Sequence, residues 1–78
     1  MRVTLYTRED CGLCDEAEDM LKRIQGSVRF EIDVVDVDTD VDAYRKYSDR
    51  VPVIVVEDEE VDAAPLDEQR LRAALTRR

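Results

Sequence analysis

Residues 3–14, VTLYTREDCGLC, decide the reading of this chain. Val3, Leu5 and Tyr6 belong to a short β-prone run that ends at Thr7, and the polar residues Arg8, Glu9 and Asp10 follow at once. From Cys14 the period changes. Cys14, Ala17, Leu21 and Ile24 recur at spacings of three and four, which is the apolar stripe of a helix. Asp15, Glu16, Glu18 and Asp19 load the early turns with negative charge, while Lys22 and Arg23 come late and Gly26 follows as a C-cap. Cys11 and Cys14 therefore lie where a strand hands over to a helix.

The C-x-x-C spacing leaves several uses open: a redox dithiol, part of a metal site, or a structural disulfide. A bridge over three residues closes almost no loop and adds little stability. A structural zinc site takes four ligands, and two cysteines without histidine cannot supply them from one chain. A metal bridged between two chains remains open at this point. The position itself favours thiol chemistry. N–H groups at a helix start lack intrahelical partners and the dipole is positive there, so a thiolate on Cys11 is stabilised. Cys14, one turn further in, faces the core.

Downstream, Val28, Phe30, Ile32 and Val34 alternate with Arg29, Glu31 and Asp33, predicting a second strand that ends in DVVDVD. Residues 39–50 read as a short helix with Thr39 and Asp42 in capping-box spacing, and Val41 and Tyr44 facing inward. VPVIVV, residues 51–56, is a dense β-branched strand with Pro52 near its start. EDEE, residues 57–60, reads as a charged turn, and Val61 opens a short edge strand. Asp67 is placed to cap a last helix, with Leu66 and Leu71 at hydrophobic-staple spacing and Ala74 and Leu75 extending the apolar face. The order is β-α-β-α-β-β-α. Its first two strands are expected to be parallel through a right-handed crossover, its last two to form a hairpin, and its helices to cover a four-stranded mixed sheet.

The totals agree with one small domain over residues 1–78. Forty-four per cent of the 78 residues are hydrophobic, enough for a core although 41% are charged. Twelve basic against twenty acidic residues give a net charge of −8, which disfavours nucleic acid and anionic membranes as partners. No apolar run approaches the roughly 20 residues of a membrane span, and no signal-peptide pattern opens the sequence. A cytoplasmic monomer is the expectation.

TLYTREDCGLCDEAEDML resembles the active-site strand and helix of glutaredoxins and glutaredoxin-like members of the thioredoxin superfamily. The resemblance continues through EIDVVDVDTD, RVPVIVV and LDEQRLRAAL, so it covers essentially the whole chain. It implies a thioredoxin fold in its minimal α/β form, with Cys11 as the attacking and Cys14 as the resolving thiol. It implies a cis peptide between Val51 and Pro52, with the Val51 backbone pairing with an incoming thiol-bearing chain. Arg8 stands where glutaredoxins commonly carry a basic residue, and Arg8, Leu13, Val51 and Pro52 become the expected substrate or glutathione contacts. Read from the residues alone, Arg8 is equally a surface partner for Glu9, Asp10 or Asp15.

The sequence departs from the family in two places. Glutaredoxins present Gly-Gly and an acidic residue after the hairpin, where this chain has Ala63, Ala64 and Pro65, and Asp67 could still supply the acidic group. Arg50 replaces a frequent Thr before the Val-Pro pair. Around the cysteines, Glu9, Asp10, Asp15 and Glu16 oppose the thiolate. At an effective dielectric of about 20, a carboxylate around 8 Å away costs roughly 2 kcal/mol before screening, comparable with the helix-terminus benefit of up to about 2 kcal/mol.

The expected activity is thiol–disulfide exchange that reduces protein or glutathione mixed disulfides. No tightly bound cofactor or metal is called for. Glutathione is a candidate co-substrate, and either glutathione or a thioredoxin-type reductase would supply electrons. The alternative is a dimer that holds a [2Fe–2S] cluster through Cys11 and two glutathiones.

Overall fold

The computed structural model describes residues 1–77. The chain runs β1 (Arg2–Thr7), α1 (Gly12–Gln25), β2 (Glu31–Asp36), a 3₁₀ turn (Val37–Thr39), α2 (Val41–Tyr47), β3 (Val53–Val56), β4 (Glu59–Ala63) and α3 (Glu68–Thr76). The strands form one mixed sheet in the order β2-β1-β3-β4. β1 lies parallel to β2, with Val3 beside Ile32, and antiparallel to β3, with Leu5 beside Ile54. The element order and the pairing expected from the sequence are both present.

Alternation along the strands decides what each face carries. Val3 and Leu5 of β1 and Ile54 and Val56 of β3 point to one side. There they form a buried cluster with Ala17, Leu21 and Ile24 of α1 and Leu71 and Leu75 of α3. Burying each large aliphatic side chain is worth roughly 1.5–3 kcal/mol, so this cluster is the main source of stability. Tyr6 points to the opposite side, where its ring meets Tyr47 of α2 at 4.4 Å between centroids. Helices thus cover both faces, α1 and α3 on one and α2 on the other.

Helix starts follow the expected chemistry with one shift. Asp67 caps α3 by accepting from the Arg70 N–H at 3.0 Å, and Leu66 packs on the core beside buried Leu71. For α2 the cap is Asp40, which accepts from the Ala43 N–H at 3.0 Å, while Thr39 ends the 3₁₀ turn and donates to the Asp36 carbonyl. Starting one residue later turns the helix by about 100°. The inward face becomes Ala43 and Tyr47, and Val41 and Tyr44, expected inside, are 67% and 51% exposed. The helix also ends at Tyr47 rather than residue 50.

Two strand starts also differ. β2 begins at Glu31, because the Val28 N–H still closes the end of α1 on the Ile24 carbonyl at 3.0 Å. Val34, at the outer edge of the sheet, is 50% exposed despite its place in the alternation. β3 begins at Val53, one residue past buried Pro52, and the Val51–Pro52 peptide is cis, as is Ala64–Pro65. Gly26 caps α1 in an ordinary right-handed conformation at φ −65°, so its use is space: a Cβ there would stand 3.2 Å from the Arg23 carbonyl oxygen.

The hairpin turn is tighter than expected. Glu57 and Asp58 alone form it, both with positive φ (49° and 73°), and Glu59 and Glu60 already belong to β4. Two left-handed residues are what a two-residue turn demands to match the strand twist, and residues with side chains adopt that region at a cost. Asp58→Gly is expected to stabilise the fold by about 1 kcal/mol and raise Tm by roughly 4–8 °C, read by thermal unfolding. An unchanged or lower Tm would mean that the turn is not strained.

The start of α3 makes stability depend on acid. The Asp67 carboxyl is held below its ordinary value of 3.8, chiefly by the Arg70 backbone N–H. Glu68 is held below 4.5 chiefly by its hydrogen bond from Arg23. The folded state binds these protons less readily than the unfolded chain. Their contribution is therefore complete above the ordinary values and fades as pH falls through the lowered folded ones. Denaturation midpoints measured against pH should fall less steeply on the acid side for the Asp67→Asn/Glu68→Gln variant than for the unaltered chain; parallel profiles would refute this.

Candidate active site

β1 ends at Thr7, and Glu9 and Asp10 turn the chain into α1, with Asp10 left-handed at φ 56°. Cys11 is the residue that caps the helix. Its sulfur accepts the Cys14 backbone N–H at 3.1 Å, in the place where a Ser or Asp oxygen normally serves. Cys11 and Cys14 are joined as a disulfide, with Cα atoms 5.2 Å apart. Cys11 is partly exposed, and Cys14 is 2% exposed among the core-facing residues of α1. Of the two sulfurs, only that of Cys11 can meet a partner from solvent. It also sits where a helix N-terminus favours negative charge, with a backbone donor already directed at it.

Beside the cysteines opens a groove of about 550 Å³. Leu13, 58% exposed, lines it together with Met20 of α1, Pro52 before β3 and Pro65 and Leu66 before α3. Leu13 and Pro52, both expected contacts, thus share one wall system, and Val51 adjoins it as a half-buried residue. Glu16 and Asp19 of α1 line the groove as well, as do Arg23 and Ala64.

Arg8 lies elsewhere. Its guanidinium grips Asp38 through two hydrogen bonds of 3.1 Å and donates a third to the Ser48 carbonyl at 3.1 Å. The Asp38 carboxylate raises the Arg8 pKa above its ordinary value. None of the three partners considered from sequence (Glu9, Asp10 and Asp15) receives it. Sheet order explains the separation: Asp38 follows β2 on one side of β1, whereas the groove follows β3 and β4 on the other. Arg8 ties the end of β1 to the 3₁₀ turn and to the end of α2.

The groove wall depends on a pair that sequence reading did not single out. Asp62 in β4 is buried and accepts from Arg70 at 2.7 Å and from the Ala63 and Asp67 N–H groups at 3.0 and 3.3 Å. Arg70 also donates to the Pro65 carbonyl at 3.2 Å. This network holds residues 63–67 in place. Asp62 reaches the interior because the β3–β4 register shifts between Ile54 and Val55, leaving Val61 without a partner residue. Alternation from Val61 alone gives no hint of it. Arg50 makes a comparable surface tie, to Glu60 at 2.7 Å, and lies over the Tyr47 ring at 5.5 Å.

A mixed sheet in this order, with two cysteines at the start of the first helix and a cis-proline before the third strand, defines a thioredoxin-fold protein with a redox-type C-x-x-C pair. Residues 2–76 match the family model described as "Glutaredoxin-like domain (DUF836)", and the chain belongs to that family. Among solved structures, it is similar to protein XcR50 from X. campestris: 36% identity, 97% of each chain covered, TM-score 0.78. Protein Ne2328 from Nitrosomonas europaea is 37% identical, with 95% of this chain and 89% of that one covered and a TM-score of 0.81. Thioredoxin 1 from Thermosipho africanus, 15% identical over 99% of this chain and 92% of its own with a TM-score of 0.74, shares the fold.

The carboxylates of Glu9 and Asp10 stand next to Cys11 in the chain and oppose a thiolate there. Glu9→Gln/Asp10→Asn keeps a residue tolerant of positive φ at position 10 and removes both charges. In the reduced protein, the pH profile of alkylation by iodoacetamide should move to lower pH in this variant. No movement would show that the two charges do not reach the sulfur.

Proposed function

We propose that this protein is a thiol–disulfide oxidoreductase that reduces protein or glutathione mixed disulfides through Cys11 and Cys14. The observation that carries this reading is the asymmetry of the pair: a partly exposed Cys11 sulfur at the helix cap, receiving a backbone N–H, and a buried Cys14 bonded to it.

The reduced protein carries two thiols. The Cys11 thiolate attacks one sulfur of a substrate disulfide, a new S–S bond joins Cys11 to the substrate, and the other substrate sulfur leaves as a thiolate and takes up a proton. Cys14, deprotonated, then attacks the Cys11 sulfur. The mixed disulfide breaks, the second substrate sulfur leaves as a thiol, and the Cys11–Cys14 disulfide forms. Two electrons have passed from the dithiol to the substrate. An external thiol donor restores the reduced form. Cys14 cannot take the first step, because its burial keeps substrate sulfur away.

Disulfide reduction assayed in parallel with a glutathione system and a thioredoxin-reductase system tests the reading and identifies the donor. Cys11→Ser should lower turnover at least about a hundredfold. Cys14→Ser should accumulate a mixed disulfide on Cys11 that mass spectrometry detects. Full activity of Cys11→Ser would overturn the mechanism.

A further inference from the structure

The groove beside the cysteines has an uneven character. Its lining is apolar at Leu13, Met20, Pro52, Pro65 and Leu66, while Glu16 and Asp19 supply negative charge from α1. The groove's one basic side chain, Arg23, is engaged by Glu68 at 2.7 Å. Arg8, the basic side chain next to the motif, is neutralised by Asp38. Glu9, Asp10 and Asp15 add negative charge around Cys11. Among the described residues, none of Glu9, Asp10, Asp15, Glu16 and Asp19 lies within salt-bridge distance of a basic side chain. These carboxylates face solvent; Arg23 directs its hydrogen bond to Glu68, although its charge also reaches Asp19, and Arg8 is held by Asp38.

We propose that the groove selects the substrate of the dithiol: an extended segment of a protein disulfide that carries Lys or Arg beside its cysteine and an apolar residue for the apolar part of the lining. The inference rests on the dithiol reading above and adds the substrate class to it. Charge complementarity is what commits the groove to this occupant. A cationic segment meets Glu16, Asp19 and the carboxylates around Cys11, and a surface of one sign raises the encounter rate of the opposite sign. Glutathione disulfide, which carries more carboxylates than ammonium groups, meets the same charges with the wrong sign. The apolar lining adds affinity at any charge, because Leu13 and its neighbours lose exposed apolar area when covered. The chemistry is unchanged: the substrate disulfide gains two electrons, and the Cys11–Cys14 pair is oxidised.

Single-turnover reduction by the pre-reduced full chain tests this without an added donor. The probes are three peptide disulfides identical except for Lys, Gln or Glu beside the cysteine, with glutathione disulfide as a further anionic probe. At low ionic strength the Lys peptide should react roughly tenfold faster than the Glu peptide and glutathione disulfide, with the Gln peptide between them. The ratio should shrink toward one at about 0.5 M salt. Glu16→Gln/Asp19→Asn should also shrink the low-salt ratio several-fold. Equal rates for the three peptides at low salt overturn the proposal, as does a Lys preference that the double substitution leaves intact. Reduction of none of the peptides, in protein whose two thiols titrate, overturns the dithiol reading itself.

Discussion

β1 is hydrogen-bonded along both edges, parallel to β2 and antiparallel to β3, and those two registers fix where everything else lies. The strand alternates Val3 and Leu5 toward α1 and α3 with Tyr6 toward α2, so it seats helices on both faces at once. It ends at Thr7, and four residues later Cys11 caps the helix. Because Tyr6 pairs with Val53, the start of β3 and the proline before it lie next to the end of β1. Slipping that register by one residue would turn Leu5 outward and move Pro52 away from the groove. Core and site therefore share one constraint.

What the sequence made legible follows the strength of its periodic signals. Cys14, Ala17, Leu21 and Ile24 recur without interruption, and all four are buried on α1. The staple of Leu66 and Leu71 around Asp67 was equally clear. The pattern turns the face of α2 because two polar residues, Thr39 and Asp40, stand next to each other and either can cap. Asp40 wins because the Thr39 hydroxyl is taken by the Asp36 carbonyl. A seven-residue helix has too few turns for its stripe to arbitrate.

The site divides the same way. The cysteines, Leu13 and Pro52 were visible because a motif and a resemblance marked them. The role of Arg8 was not, since its partner Asp38 is thirty residues away and arrives only through the parallel pairing of β1 with β2. The Asp62–Arg70 tie was hidden for a related reason. It depends on a register shift in the hairpin that leaves Val61 unmatched, and no local propensity encodes such a shift.

That unmatched residue has a bearing on what the molecule avoids. β4 is an outer strand of the sheet, and an outer strand offers a row of backbone donors and acceptors to any other extended chain. Here the row is broken at Val61, and Glu59 and Glu60 stand exposed just before the break. A margin interrupted in this way gives a neighbouring strand no continuous ladder to extend. A protein with so small a core is thereby guarded, along that edge, against being extended into a larger sheet.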